Sequence, residues 1–312
     1  MPLRARTALA ALAAIVALGV GVGGCGFGPG PATGKLGLTV TRDFGARAVG
    51  SLAAAHVPGS ETVMRMLERS FRVQTRYGGG FVQSIDGRAG DGSQHDWFYY
   101  VNGVQGAQGA ATTVVHHGDQ IWWDLHDWRA TESVPAVVGS FPQPFVNGLR
   151  GKRYPTTLEC AANMGSACRR VTAALNAAHV PVASQLIGTG SGPDTLGVVV
   201  GTWSEVQSEV AGSLIAHGPS ASGVYARFSG PGGATLQLLD PAGRTVRSLG
   251  AGAGLIAATA DNSSVPTWLI TGTDAAGVNT AAGALSREAL HDHFALAVQG
   301  SRRLAVPLEA AQ

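Results

Sequence analysis

The sequence predicts an α+β fold in two parts, and three observations predict it. Up to Trp128 the elements read strand, strand, helix and then a run of strands, two of them strongly aromatic. Beyond Pro135, buried apolar strands alternate with helices, the pattern of an α/β unit whose mostly parallel sheet carries one β-hairpin. The 312 residues suit two domains.

The chain opens with Arg4 and Arg6, an apolar run from Thr7 to Gly24 without a carboxylate, and Val22-Gly23-Gly24-Cys25. This is the pattern of a bacterial lipoprotein signal: small residues before the cysteine admit a signal peptidase, and the thiol receives lipid. The run is shorter than the ~20 apolar residues of a spanning helix. Residues 1–24 are therefore expected to be removed. Cys25 then becomes a diacylglycerol- and palmitate-bearing anchor at the extracytoplasmic face of the cell membrane, with the Gly/Pro-rich residues 25–34 as a tether. An ordinary secretory signal with a coincidental cysteine is the alternative.

A first domain spans 35–130. Leu36 to Arg42 alternates apolar with small or polar residues at period two, and Ala46 to Val57 follows as its hairpin partner. Ser60 is placed to cap a helix that begins at Glu61 and turns Val63, Met66 and Leu67 to one face. Arg72 to Tyr77 and Phe81 to Ile85 are separated by three glycines, and Trp97 to Gly103 and Gln120 to Trp128 form the aromatic strands. His116-His117-Gly118-Asp119 turns the chain before the second of these.

The segments Asp96-Trp97-Phe98-Tyr99-Tyr100-Val101-Asn102-Gly103-Val104, Gly109-Ala110 and His117-Gly118-Asp119-Gln120-Ile121-Trp122-Trp123 resemble the transcobalamin C-terminal-like domain family over about residues 35 to 130. The resemblance implies a β-grasp-like sheet crossed by one helix. In transcobalamins such a domain closes over a corrinoid held against a helical barrel, and no helical barrel is readable in this chain.

A second domain spans 131–307, with 308–312 as a tail. Ala136 to Phe141 and Thr156 to Cys160 read as strands, Cys168 to Ala178 as a helix, and Leu196 to Gly201 as a strand buried on both faces. A helix from about Ser204 to Ala216 follows. Strands come next over Gly223 to Phe228, Thr235 to Asp240, Thr245 to Leu249 and Leu255 to Thr259. The chain closes with strand Thr267 to Thr271, a helix from Ala275 to Leu285 capped by Asp274, and strand Phe294 to Val298.

Three cysteines are present, and with Cys25 acylated, Cys160 and Cys168 are left to form a disulfide in an oxidising compartment. Two free buried thiols are the alternative. Charged residues are only 13% of the chain against 45 glycines, and the net charge of +2 falls to zero once Arg4 and Arg6 leave with the signal. A neutral chain offers no electrostatic footprint for nucleic acid.

No Walker loop, nucleophile elbow or catalytic centre is readable. Adjacent His116 and His117 point to opposite strand faces, so at most one joins His126 at an ion, and His291 with His293 is an incomplete metal site. No metal or cofactor is expected. The better candidate is the aromatic face. Along Gln120 to Trp128 the residues Ile121, Trp123 and Leu125 share one side and read as core, while Trp122, Asp124, His126 and Trp128 share the other. Trp97, Tyr99 and Val101 likewise oppose Phe98, Tyr100 and Asn102. The candidate ligand-binding set is Trp97, Tyr99, Tyr100, Asn102, Trp122, Asp124, His126 and Trp128, aromatic surfaces with polar handles. The alternative is that the second domain covers this face and the tryptophans join the two halves.

A second candidate is the strand rim of the α/β half at Ser140, Thr202-Trp203 and Thr271 to Asp274, where turn and capping chemistry is the alternative. The expected function is a lipid-anchored extracytoplasmic binding protein. It would be solute-binding or an accessory of cofactor-like small-molecule uptake, with a membrane transporter as partner. The alternatives are a cell-envelope interaction lipoprotein without a small ligand, or an enzyme using Asp274 or Glu205.

Overall fold

The computed structural model describes residues 35–54, 61–261 and 265–308. The signal, Cys25, the tether and the expected cap Ser60 lie outside the described residues. No helix among them is long and apolar enough to cross a membrane.

The first half is built on β1 (Leu36–Arg42), β2 (Arg47–Ala54), α1 (Val63–Ser70), β3 (Val73–Arg76), β4 (Phe81–Ile85), β5 (Arg88–Ala89), β6 (His95–Val101), β7 (Val104–Gln105) and β8 (Gln120–Asp127). Thr62 caps α1 by accepting the Arg65 N–H at 3.2 Å. The main sheet has the order β2-β1-β8-β6-β7, with β1 and β8 parallel at its centre and antiparallel pairs on either side. This is the β-grasp arrangement. Strands β3, β4 and β5 form a small separate sheet.

The period-two pattern assigns the two faces of this sheet. Leu36, Leu38, Val40, Trp97, Tyr99, Ile121 and Trp123 pack with Val63, Met66 and Leu67 of α1 in one core. Tyr100 and Trp122 on the reverse face belong to a different core, shared with the second half.

The second half contains β9 (Thr156–Cys160), α2 (Gly165–Ala177), β10 (Val182–Leu186), β11 (Leu196–Thr202), α3 (Trp203–Val206), α4 (Val210–Ala216), α5 (Pro219–Ser222), β12 (Ala226–Ser229), β13 (Thr235–Leu239), β14 (Thr245–Leu249), β15 (Ala253–Thr259), β16 (Thr267–Gly272), α6 (Ala275–Gly283), α7 (Arg287–Leu290), β17 (Ala295–Gln299) and β18 (Arg302–Val306). Its seven-stranded sheet runs β10-β9-β11-β16-β15-β17-β18. The first four strands are parallel, and β15, β17 and β18 pair antiparallel, so the sheet is evenly mixed rather than mostly parallel. The cause is the antiparallel β15–β16 hairpin, which reverses the chain within the sheet. Strands β12, β13 and β14 form a separate antiparallel sheet.

Two expected elements differ. The apolar run 136–141 is not a strand. Prolines 135, 142 and 144 withhold N–H groups from any ladder. The run instead bridges the halves: Val137 N–H donates to Gly103 O at 2.8 Å and Val138 N–H to Phe294 O at 3.1 Å. The expected helix from Ser204 to Ala216 is broken into α3 and α4: a Thr202–Glu205 capping box starts α3, and after it the chain folds back so that Gly212 packs directly on the Val206 carbonyl.

Cys160 and Cys168 are joined in a disulfide between the end of β9 and the first turns of α2. They are eight residues apart, and loop-closure entropy for so short a loop is worth about 2.5 kcal/mol. Replacing both cysteines by serine is expected to lower the melting temperature by about 5–10 °C, as read by calorimetry.

Candidate functional site

The turn between β1 and β2 shows how the aromatic face is closed. Asp43, Phe44 and Gly45 all have positive φ, at 60°, 56° and 85°, and left-handed geometry costs non-glycine residues free energy. Asp124 stabilises the turn: its Oδ1 accepts the Phe44 N–H at 3.0 Å and its Oδ2 accepts the Gly45 N–H at 2.9 Å. Thr41 Oγ1 donates to Asp124 Oδ2 at 2.5 Å and accepts from Trp122 Nε1 at 2.6 Å, and His126 Nδ1 lies 2.9 Å from Asp124 Oδ1. The register places Thr41 beside Asp124 and Thr39 beside Trp122. Alternation along one strand therefore puts Trp122, Asp124 and His126 into one network.

That network is covered by the second half. The Phe294 ring lies edge-on to Phe44, Tyr100, Trp122 and His126 at centroid distances of 5.1, 5.5, 5.2 and 5.3 Å. Tyr225 meets Phe44 at 5.1 Å, and His126 stacks on Phe98 at 4.5 Å. The approach is close enough that a Cβ on Gly45 would stand 1.8 Å from the Asp292 carbonyl, and one on Gly139 2.7 Å from Trp122.

Of the two readings of this face, the structure shows the one in which the second half covers it, and Trp122, Asp124 and His126 form no exposed aromatic patch. Trp122, Asp124 and His126 are 3%, 0% and 3% accessible, and Tyr100 is fully buried beside them. The physical reason is the apolar partner surface of Phe294 and Tyr225, which a single strand's pattern does not reveal. Trp128 lies beyond the end of β8 and is half-buried. Trp97 and Tyr99 face α1: Trp97 Nε1 donates to Arg88 O at 3.0 Å, and the Tyr99 hydroxyl to Gln108 O at 2.5 Å. Asn102 occupies the β6–β7 turn, where its side chain ties Asp119, Gly148 and the Gln120 N–H together at 2.7–2.9 Å.

The rim residues also carry backbone groups. Asp274 accepts from Gly277 N–H at 2.8 Å and Gly252 N–H at 2.7 Å, and Glu205 accepts from Thr202 N–H at 2.8 Å. Ser140 stands in the bridging segment instead of at a strand end. Among the described residues no group of three or more His, Cys, Asp or Glu could hold a metal ion.

Open space lies beside the aromatic seam. A cleft of about 560 Å³ runs between the halves, with Gln120 and Trp122 of β8 on one wall and Ser140 and Gln143 of the bridging segment on the other. Lys35, His179, Arg287, His291 and Asp292 surround it. Among the described residues Lys35 and Arg287 form no ion pair, whereas His291 Nδ1 lies 3.1 Å from Asp292 Oδ2. Burial pushes the Asp292 carboxyl above the usual carboxylate value, with the neighbouring His291 opposing and the Asp124 charge adding to the rise. His179 and Asp292 are non-glycine residues in left-handed backbone, φ 59° and 58°, a strain that concentrates at ligand sites.

Of the aromatic-face residues expected to bind ligand, Trp122 alone lines this cleft, and of the rim candidates Ser140 does. Its charged groups come from distant segments of chain, and the left-handed residues carry no sequence signal.

A family model described as Domain of unknown function (DUF4430) matches residues 60–127, inside the first half and about a fifth of the chain. A crystal structure of a "putative metal binding protein" from Ruminococcus gnavus ATCC 29149 is 19% identical, in an alignment covering 30% of this chain and 98% of that one, with a TM-score of 0.25. No curated protein matches the chain.

Proposed function

We propose that the chain is an exported binding protein, held to the extracytoplasmic face of the membrane by lipid on Cys25, that captures a small anionic solute in the cleft between its two halves. It recognises this solute rather than transforming it, and serves as the solute-binding or accessory component of an uptake system. The observation that carries the reading is the cleft itself. Its volume of about 560 Å³ suits a small-molecule ligand, both halves wall it, and Lys35 and Arg287 face it with Asp292 as the one carboxylate.

The test is a thermal-shift screen of small anionic, neutral and cationic solutes. An anion at about 100 times its Kd is expected to stabilise the protein by about 2.7 kcal/mol. Arg287→Ala should weaken that binding at least about ten-fold by calorimetric titration, because a charge-assisted hydrogen bond is lost. Stabilisation by cations alone, or an Arg287→Ala affinity equal to the parent's, overturns the reading. Radiolabelled palmitate should enter the parent and not Cys25→Ser; equal labelling of both overturns the anchor alone.

A further inference from the structure

A second cavity, of about 230 Å³, lies between β7 and the 107–114 loop of the first half and the turn at Leu149 that follows the bridging segment. Its walls are fixed. The Tyr99 hydroxyl holds the loop through Gln108 O at 2.5 Å and Thr113 Oγ1 at 2.7 Å, and Gly106 leaves the Tyr99 ring room that a Cβ would fill at 1.9 Å. Val101, Val104, Val114 and Leu149 supply an apolar lining, while Arg150 and His116 are its two basic groups.

The turn that presents Arg150 is unusual. Leu149 and Lys152 exchange backbone hydrogen bonds at 2.8 and 2.9 Å, and both residues between them have positive φ, 54° at Arg150 and 73° at Gly151. Such a turn ordinarily takes Asn or Gly at its first central position. Here an arginine occupies it and forms no ion pair among the described residues. Gly151 admits the His116 ring, since a Cβ there would meet it at 2.9 Å. Asp119 is buried beneath His116 and accepts its backbone N–H at 2.8 Å, together with the Asn102 amide at 2.8 Å. Among the described residues no carboxylate lines the cavity itself.

We propose that this cavity is a second binding site, separate from the cleft and independent of its reading, for a small apolar carboxylate. An aromatic or short aliphatic acid would place its hydrocarbon against Val104, Val114 and Leu149 and its carboxylate on the Arg150 guanidinium. The small volume restricts the occupant to about ten non-hydrogen atoms at interior packing density. A guanidinium pairs with a carboxylate through two parallel N–H donors, which sets the charge preference.

Calorimetric titration of the full chain with benzoate, benzamide and benzylamine tests this. Benzoate should bind saturably, benzamide at least about ten-fold more weakly, and benzylamine not at all. Arg150→Gln should weaken benzoate at least about ten-fold, and Val114→Trp should abolish its binding by filling the space at unchanged melting temperature. Arg287→Ala should leave it unaltered. Absence of saturable benzoate binding, equal binding of benzylamine, or an Arg150→Gln affinity matching the parent's would each overturn the site. An effect of Arg287→Ala on benzoate would assign the binding to the cleft instead.

Discussion

Phe294→Ala is expected to lower the unfolding free energy by about 3–5 kcal/mol, the range for removing a buried phenylalanine ring. Phe294 is 3% exposed and touches four rings of the first half at 5.1–5.5 Å. Among the described residues it makes more ring contacts across the two halves than Tyr225 does, and it does not line the cleft. The loss should appear in calorimetry as a fall of about 8–15 °C in melting temperature, and Trp122 fluorescence should shift as water reaches the seam. Phe294→Leu, which refills part of the volume, should recover much of the loss. An alanine variant that melts with the parent would mean that the halves are held by something other than this seam.

Asp124→Ala is the second large effect, expected at about 3–5 kcal/mol. It leaves Phe44 N–H, Gly45 N–H, the Thr41 hydroxyl and His126 Nδ1 without their common acceptor. The left-handed turn at residues 43–45 would lose what holds it, and with it the position of Phe44 in the seam. Asp124→Asn keeps one acceptor oxygen and should cost clearly less. Chemical denaturation of the three proteins reads this order. Equal stability of parent and Asp124→Ala would show that the carboxylate does not organise the turn.

These two residues also show what was legible in the sequence. The alternation in Gln120 to Trp128 sorted β8 into a core face and a second face, because strand side chains alternate regardless of what covers them. It left open what met the second face. A buried Asp–His pair between tryptophans reads like polar handles on a ligand surface until Phe294, far along the chain, is placed over it. The aromatic runs predicted the strands that form β6 and β8, and the expected pairing of Cys160 with Cys168 is present. Strand β18 went unread because Arg302 and Arg303 break its apolar pattern, and 136–141 was misread because its valines imitate a strand between prolines. The cleft was invisible: Lys35, His179, Arg287 and Asp292 come together only when the two sheets are docked.

Whether the proposed recognition takes place in the cleft beside the seam is read from a crystal structure of the protein with the anion selected by the thermal-shift screen. Density for the anion is expected between β8 and the bridging segment, within hydrogen-bonding distance of Arg287 and with Phe294 still packed on Trp122. Density for it elsewhere, with the cleft holding only solvent, would rule the cleft out as its site.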